Sequence, residues 1–240
     1  MPPDLIIYGL IAAGLIFWLR SVLGARDEGE PKRQNPYLSM TEENGNVIPF
    51  GESRSQNNGE NLIAALAQNP KGNMSIESRS VELALMEIAK ADRGFDVYVF
   101  LQAAQDAFVY IVESFAEGDR ETLRDLLGPQ VYDAFEGAIS TREQAGESMK
   151  TEIRGIKKAE ITGARVEGSI GLITVRFIAE ETTVTRDKNG EILFGHPDKT
   201  TQMRDVWTFA RDLRGRDPRW LVIETREDGL EDNTTIPNTH

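Results

Sequence analysis

Cysteine is absent from the 240 residues, which excludes a disulfide framework and any thiolate metal site. Histidine is nearly absent. His196 stands in an expected turn before Pro197, His240 is the last residue, and neither has a partner at metal-ligand spacing. No metal and no cofactor are expected. There is no glycine-rich phosphate loop and no serine beside a candidate base. Positive charge is also scarce: 27 basic against 39 acidic residues give a net charge of −12. Residues 1–26 hold two arginines against one aspartate, so the remainder carries about −13. Binding to a polyanion needs basic surface that releases phosphate counterions, so DNA is excluded as a general partner. Anionic lipid headgroups repel such a domain on average as well.

Long apolar runs are lacking too, with one exception near the start. Leu5 to Leu19 is uncharged, and only Arg20 and Ser21 interrupt it before Val22-Leu23. A helix over residues 5–23 is about 28 Å long, against roughly 30 Å for the hydrocarbon core of a bilayer. The run predicts one short transmembrane helix in residues 1–26, held by Leu5 at one end and by Trp18 and Arg20 at the other. Trp18 suits the interfacial aromatic belt, and Arg20 snorkels to the headgroups. A cleaved signal peptide is the alternative. It requires a basic leading segment and a small residue where Leu23 stands, and the sequence has neither. Arg20, Arg26, Lys32 and Arg33 all follow the run, which places the soluble part on the cytoplasmic side, or in the matrix of a mitochondrion.

Residues 27–60 read as a polar linker with little to bury. Residues 61–94 read as a helical lead-in. A short helix is expected over Asn61 to Ala67. A second is capped by Ser80 and carries Val81, Leu85 and Ile88 at helical spacing. The strongest period follows: Phe100, Leu101, Ala104, Phe108, Ile111, Val112 and Phe115 form one face, with Asp96 as N-cap and Gly118 as the left-handed stop. Asp119 caps a short helix, and Pro129 opens another bearing Val131, Phe135 and Ile139.

Beyond about residue 152 the period changes to two. Ile156 to Val166 and Ile170 to Thr185 read as strands about a Gly168-Ser169 turn. Lys188-Asn-Gly-Glu191 is a hairpin signal. Strands follow at 192–194, 200–209 and 220–225, and residues 227–240 read as a tail. Helices followed by a meander give an α+β fold, with helices packed on a curved antiparallel sheet around an apolar interior.

Two groups of residues carry candidate chemistry. Asp205 and Tyr132 are an acid and a phenol that an apolar interior can tune, and the competing expectation pairs Asp205 with an arginine and buries Tyr132 in the core. Phe100, Phe108, Tyr132, Phe135, Trp207 and Trp220 are candidates to line a ligand pocket, or else fill the core. Separately, Arg211, Arg214, Arg216 and Arg219 fall within nine residues. With Lys150, Arg154, Lys157 and Lys158 they make the one concentrated source of positive charge, suited to anionic lipid or ribosomal RNA, or else to a solvated hairpin tip.

Phe95-Asp-Val-Tyr-Val-Phe-Leu101, Phe108-Val-Tyr-Ile-Val112, Phe115-Ala-Glu-Gly-Asp119, Thr122-Leu123 with Leu126-Leu127, and Val131-Tyr-Asp-Ala-Phe135 resemble the helical half of the Tim44-like domain family. Ile173 to Phe177, Asp205-Val-Trp-Thr-Phe-Ala-Arg211, Asp217-Pro-Arg-Trp220 and Glu224-Thr225 resemble its strand half. The resemblance covers residues 95–226. It implies a nuclear-transport-factor-two-like cone, contact with inner-membrane lipids including cardiolipin types, and a scaffold role without catalysis. Leu19 to Gly24, directly after the apolar run, is similar to membrane-anchored alphaproteobacterial members, which implies a bacterial inner-membrane location. The long charged region by which the mitochondrial subunit recruits a chaperone has no counterpart here; a span and a short linker stand in its place. The resulting expectation is a non-enzymatic, membrane-anchored adaptor that binds a membrane or translocase protein, or lipid. The alternatives are a small-molecule module and a ribosome tether, because a related domain occurs in the mitochondrial large ribosomal subunit.

Overall fold

The structure, a computed structural model, describes residues 58–228. The transmembrane reading of residues 1–26 and nearly all of the linker and tail fall outside the described residues. Five helices come first, with one short strand among them: α1 (Asn58–Gln68), β1 (Met74–Ile76), α2 (Arg79–Ala91), α3 (Val97–Glu117), α4 (Arg120–Leu126) and α5 (Pro129–Gln144). Five strands follow: β2 (Ser148–Glu167), β3 (Ile170–Arg186), β4 (Ile192–Gly195), β5 (Thr201–Asp212) and β6 (Leu221–Glu227). They form one sheet in the order β1-β2-β3-β5-β6, with β4 paired to the far end of β3.

Local chemistry sets the helix ends. The Asp96 carboxylate accepts from the amides of Tyr98 and Val99 and starts α3, and Gly118, at φ 78°, ends it. Asp119 caps α4 in the same way, and Pro129 opens α5. Arg142 of α5 donates to the carbonyls of Phe115 (2.7 Å) and Ala116 (3.0 Å) and lies over the Phe115 ring, so it fastens α5 to the end of α3.

The sheet differs from the expected antiparallel meander. β1 pairs with β2 in parallel, Met74 to Ile76 against Ala159 to Ile161, so the sheet is mixed. Three residues are too few to show a period, which hid β1 in the sequence. β2 begins eight residues before the expected Ile156, because alternating charged side chains at its start mask a strand pattern. Its register shifts at three places, between Ile153 and Gly155, Ile156 and Lys158, and Ile161 and Gly163. Each extra residue bends the strand, and this lets a 20-residue strand curve around the helices.

Smaller boundaries also move. α1 starts at Asn58, inside the expected linker, and β6 runs to Glu227, one residue into the expected tail. The cap of α2 is Ser78 rather than Ser80, since the Ser78 hydroxyl reaches the Val81 amide. Trp220 precedes β6 instead of lying in it.

One face of the sheet meets the helices. Ile173, Val175, Phe177 and Ala179 of β3 point there and are buried, together with Trp207 and Phe209 of β5 and Phe108 and Ile111 of α3. The opposite face is polar. Thr174, Thr208 and Glu224 form a hydrogen-bonded chain across three strands. Arg176 gathers Glu77 (3.0 Å), Glu160 (2.9 Å) and Asp228 (3.1 Å).

Candidate functional site on the helix-covered face

The aromatic candidates divide by burial. Phe108 stacks on Phe177 with centroids 4.6 Å apart and tilts against Trp207 at 4.8 Å. Phe100 meets Phe209 at 5.7 Å and Trp220 at 5.1 Å. Phe100, Phe108 and Trp207 are buried, so their rings build the wall between the helices and the sheet. Phe135, edge-on to Phe115 at 5.0 Å, Tyr132 and Trp220 are half-buried and keep free surface.

Asp205 lies on this same inner face, two residues before Trp207. It completes a rung that crosses five strands: Met74, Ala159, Phe177, Asp205 and Glu227. Among the described residues neither an arginine nor Tyr132 pairs with it. The charges acting on it are carboxylates, Glu227 and Asp228 of β6 and Glu181 of β3. Burial first, and these neighbours second, push its carboxyl up to about 7. Burial also pushes Glu181 up, against a hydrogen bond to Thr183. Glu160, on the outer face, behaves oppositely. Burial raises it, but Lys158, Arg176 and Ser75 outweigh burial and hold it below the usual range.

The expected acid–phenol pair is therefore not assembled. The Tyr132 hydroxyl accepts from Arg124 at 2.7 Å, and the guanidinium lies 4.9 Å from the ring centre. Sequence reasoning missed Glu181 and Glu227, whose signal was only their odd-numbered positions on strands whose register was unknown.

The position of Asp205 predicts an unusual pH dependence. A carboxyl raised in the fold favours the folded state while protonated, and that contribution is lost as pH rises through about 7. Asp205→Asn should match the parent near pH 4 and gain on it up to pH 8. Three pH units correspond to about 4 kcal/mol. Solvent screening at a half-buried site reduces this to an expected 1–2 kcal/mol, on the order seen for partly screened charges. Urea unfolding at the two pH values measures the difference, and an equal effect at both sinks the assignment.

The sequence profile of the Tim44-like domain matches residues 81–227. The chain belongs to this family. Among its relatives, the human mitochondrial import inner membrane translocase subunit TIM44 is 25% identical over 150 residues, which is 61% of this chain and 33% of that protein. A probable translocase subunit of Caenorhabditis elegans, tin-44, is 23% identical over 157 residues, 64% of this chain and 37% of its own. The translocase subunit TIM44-1 of Arabidopsis thaliana is 22% identical over 151 residues, 60% and 32% of the two chains. The match thus spans about a third of the length of these relatives.

In this Tim44-like domain the basic candidates do not form one patch. Arg211 belongs to β5 and turns inward, where it pairs with Asp92 and lies 5.2 Å from the Trp220 ring centre. Arg219 is held by both carboxylate oxygens of Asp217. Arg214 and Arg216 remain exposed in the turn. Lys157, Lys158 and Arg154 each pair with a glutamate. Through β3, Lys158 is opposite Ile178 while Arg211 is opposite Gly171. Seven residues of strand separate these positions by roughly 23 Å. Among the described residues no helix is long and apolar enough to cross a membrane.

Proposed function

We propose that this Tim44-like domain is the partner-binding part of a non-enzymatic adaptor working with membrane protein-translocation machinery, and that residues 1–26 tether it to the membrane. Family membership over residues 81–227 carries the reading, since the relatives are named as translocase subunits. The geometry agrees with binding rather than catalysis. Tyr132 is engaged by Arg124, Asp205 faces carboxylates, and the Nδ1 of the exposed His196 accepts from the Asp198 amide. The partner-binding face is assigned to the margin of the core, where Met203, two residues from Asp205 on β5, and Ile153, Phe115 and Phe135 are half-buried.

A second reading places an acyl chain, such as that of a cardiolipin-type lipid, in a nuclear-transport-factor-two-like interior. The same half-buried apolar margin favours it.

A photo-crosslinking residue at Met203 of the full chain in its native membrane tests both. Crosslinks to membrane proteins of the translocation machinery are expected, and they should vanish when the probe moves to Glu224 on the outer face. Lipid adducts alone would favour the second reading, and equal crosslinking from both positions would overturn the face assignment. Deleting residues 1–26 should release the protein from carbonate-washed membranes.

A further inference from the structure

The inner-face rung ends in two acids, Asp205 on β5 and Glu227 on β6, in direct register. Side chains opposed in this way have Cβ atoms about 5 Å apart, and like charges there destabilise the pair. Glu181 adds a carboxylate from β3, and Asp228 another from the end of β6. The nearby cations face away. Arg204 and Arg226 occupy the alternate, outward positions, and Arg204 bonds Gln202. Arg176 also points outward, where it holds Asp228, Glu77 and Glu160. From the helices, Glu113 of α3 commits its carboxylate to the Ile153 amide at 3.0 Å. Among the described residues the β5–β6 pairing ends with the bond from the Asp228 amide to the Arg204 carbonyl, 2.9 Å.

We propose that the Asp205–Glu227 pair, restrained from the outer face by the Arg176–Asp228 ion pair, is a proton-operated latch on the end of β6. With a proton on Asp205 the pair carries a single charge, and the neutral carboxyl is a donor for Glu227. The rung stays closed. When that proton passes to water, a half-buried carboxylate faces a second one across the strands. Hydration then favours parting the last residues of β6, while Arg176 limits how far they move. Burial and the surrounding carboxylates push Asp205 up to about 7, so small pH changes in the neutral range operate the device. What opens is the edge of the inner face beside Asp205, one strand away from Phe177. The latch would therefore control access to the face assigned above to a partner, although it stands on register and charge alone.

Amide hydrogen exchange on the full chain, corrected for intrinsic rates, reads the latch at Asp228. Its protection should fall roughly tenfold between pH 6 and pH 8, while Val175, at the centre of β3, should keep its protection. Asp205→Asn and Glu227→Gln should each flatten the Asp228 profile. Glu227 is exposed, so its variant folds even if the other does not. A flat parent profile, an unchanged slope in both variants, or an equal slope at Val175 would overturn the proposal. None of these outcomes depends on what the inner face binds.

Discussion

Replacing Phe108 with alanine should lower the stability of the domain by about 3–5 kcal/mol. The ring is fully buried and sits between Phe177 and Trp207, so its removal leaves a void that rigid aromatic neighbours cannot fill. Alanine is the better helix former, but by well under about 1 kcal/mol, which does not offset the cavity. Phe108→Leu keeps most of the volume and should cost less than about 2 kcal/mol. In urea unfolding both variants should shift the midpoint with an unchanged slope, because the surface exposed on unfolding stays nearly the same. A cost below about 1 kcal/mol for the alanine variant would mean that the ring does not belong to the core. That result would return Phe108 to the ligand-contacting role the sequence also allowed.

Asp92→Ala is the other large effect, expected at about 3 kcal/mol, at the lower end for breaking a buried ion pair. Asp92 and Arg211 are 18% and 16% exposed, so truncating the acid leaves a guanidinium largely out of water without its counterion. The Gly94 amide also loses its acceptor, the other Asp92 oxygen at 2.9 Å. Arg211 cannot simply swing out, because it packs on Trp220, which in turn packs on Phe95 and Phe100. The double variant Asp92→Ala with Arg211→Met should recover part of the loss, since an apolar chain tolerates the site that an unpaired cation does not. A double-mutant cycle measures this coupling. Strict additivity would show that the pair contributes nothing of its own. The same geometry takes Arg211 away from any lipid- or RNA-binding surface.

What the sequence revealed was local. Asp96, Gly118, Asp119 and Pro129 act within one helical turn, and each does what its residue type requires. The apolar face of α3 was legible because six turns of helix repeat it. What stayed hidden depended on partners distant in sequence. β1 is a strand only because β2 lies beside it, 85 residues further along the chain. The high proton affinity of Asp205 arises first from its burial and then from Glu227 and Glu181, and only the folded strands supply either. The four clustered arginines looked alike in sequence, but packing buries one of them and an ion pair neutralises another.

The parallel strand β1 changes where the domain can be cut. The match to the family profile begins at residue 81. Yet Ile63 and Leu66 of α1 are fully buried in the core, Met74 to Ile76 cover the edge of β2, and the Asn73 side chain bonds Gln105 and the Ile156 carbonyl. A fragment trimmed to the shared region would expose a hydrophobic groove and a bare sheet edge, both of which invite self-association. A fragment that starts near residue 58 keeps this leading helix and strand, and is expected to stay monomeric where one starting at residue 81 does not.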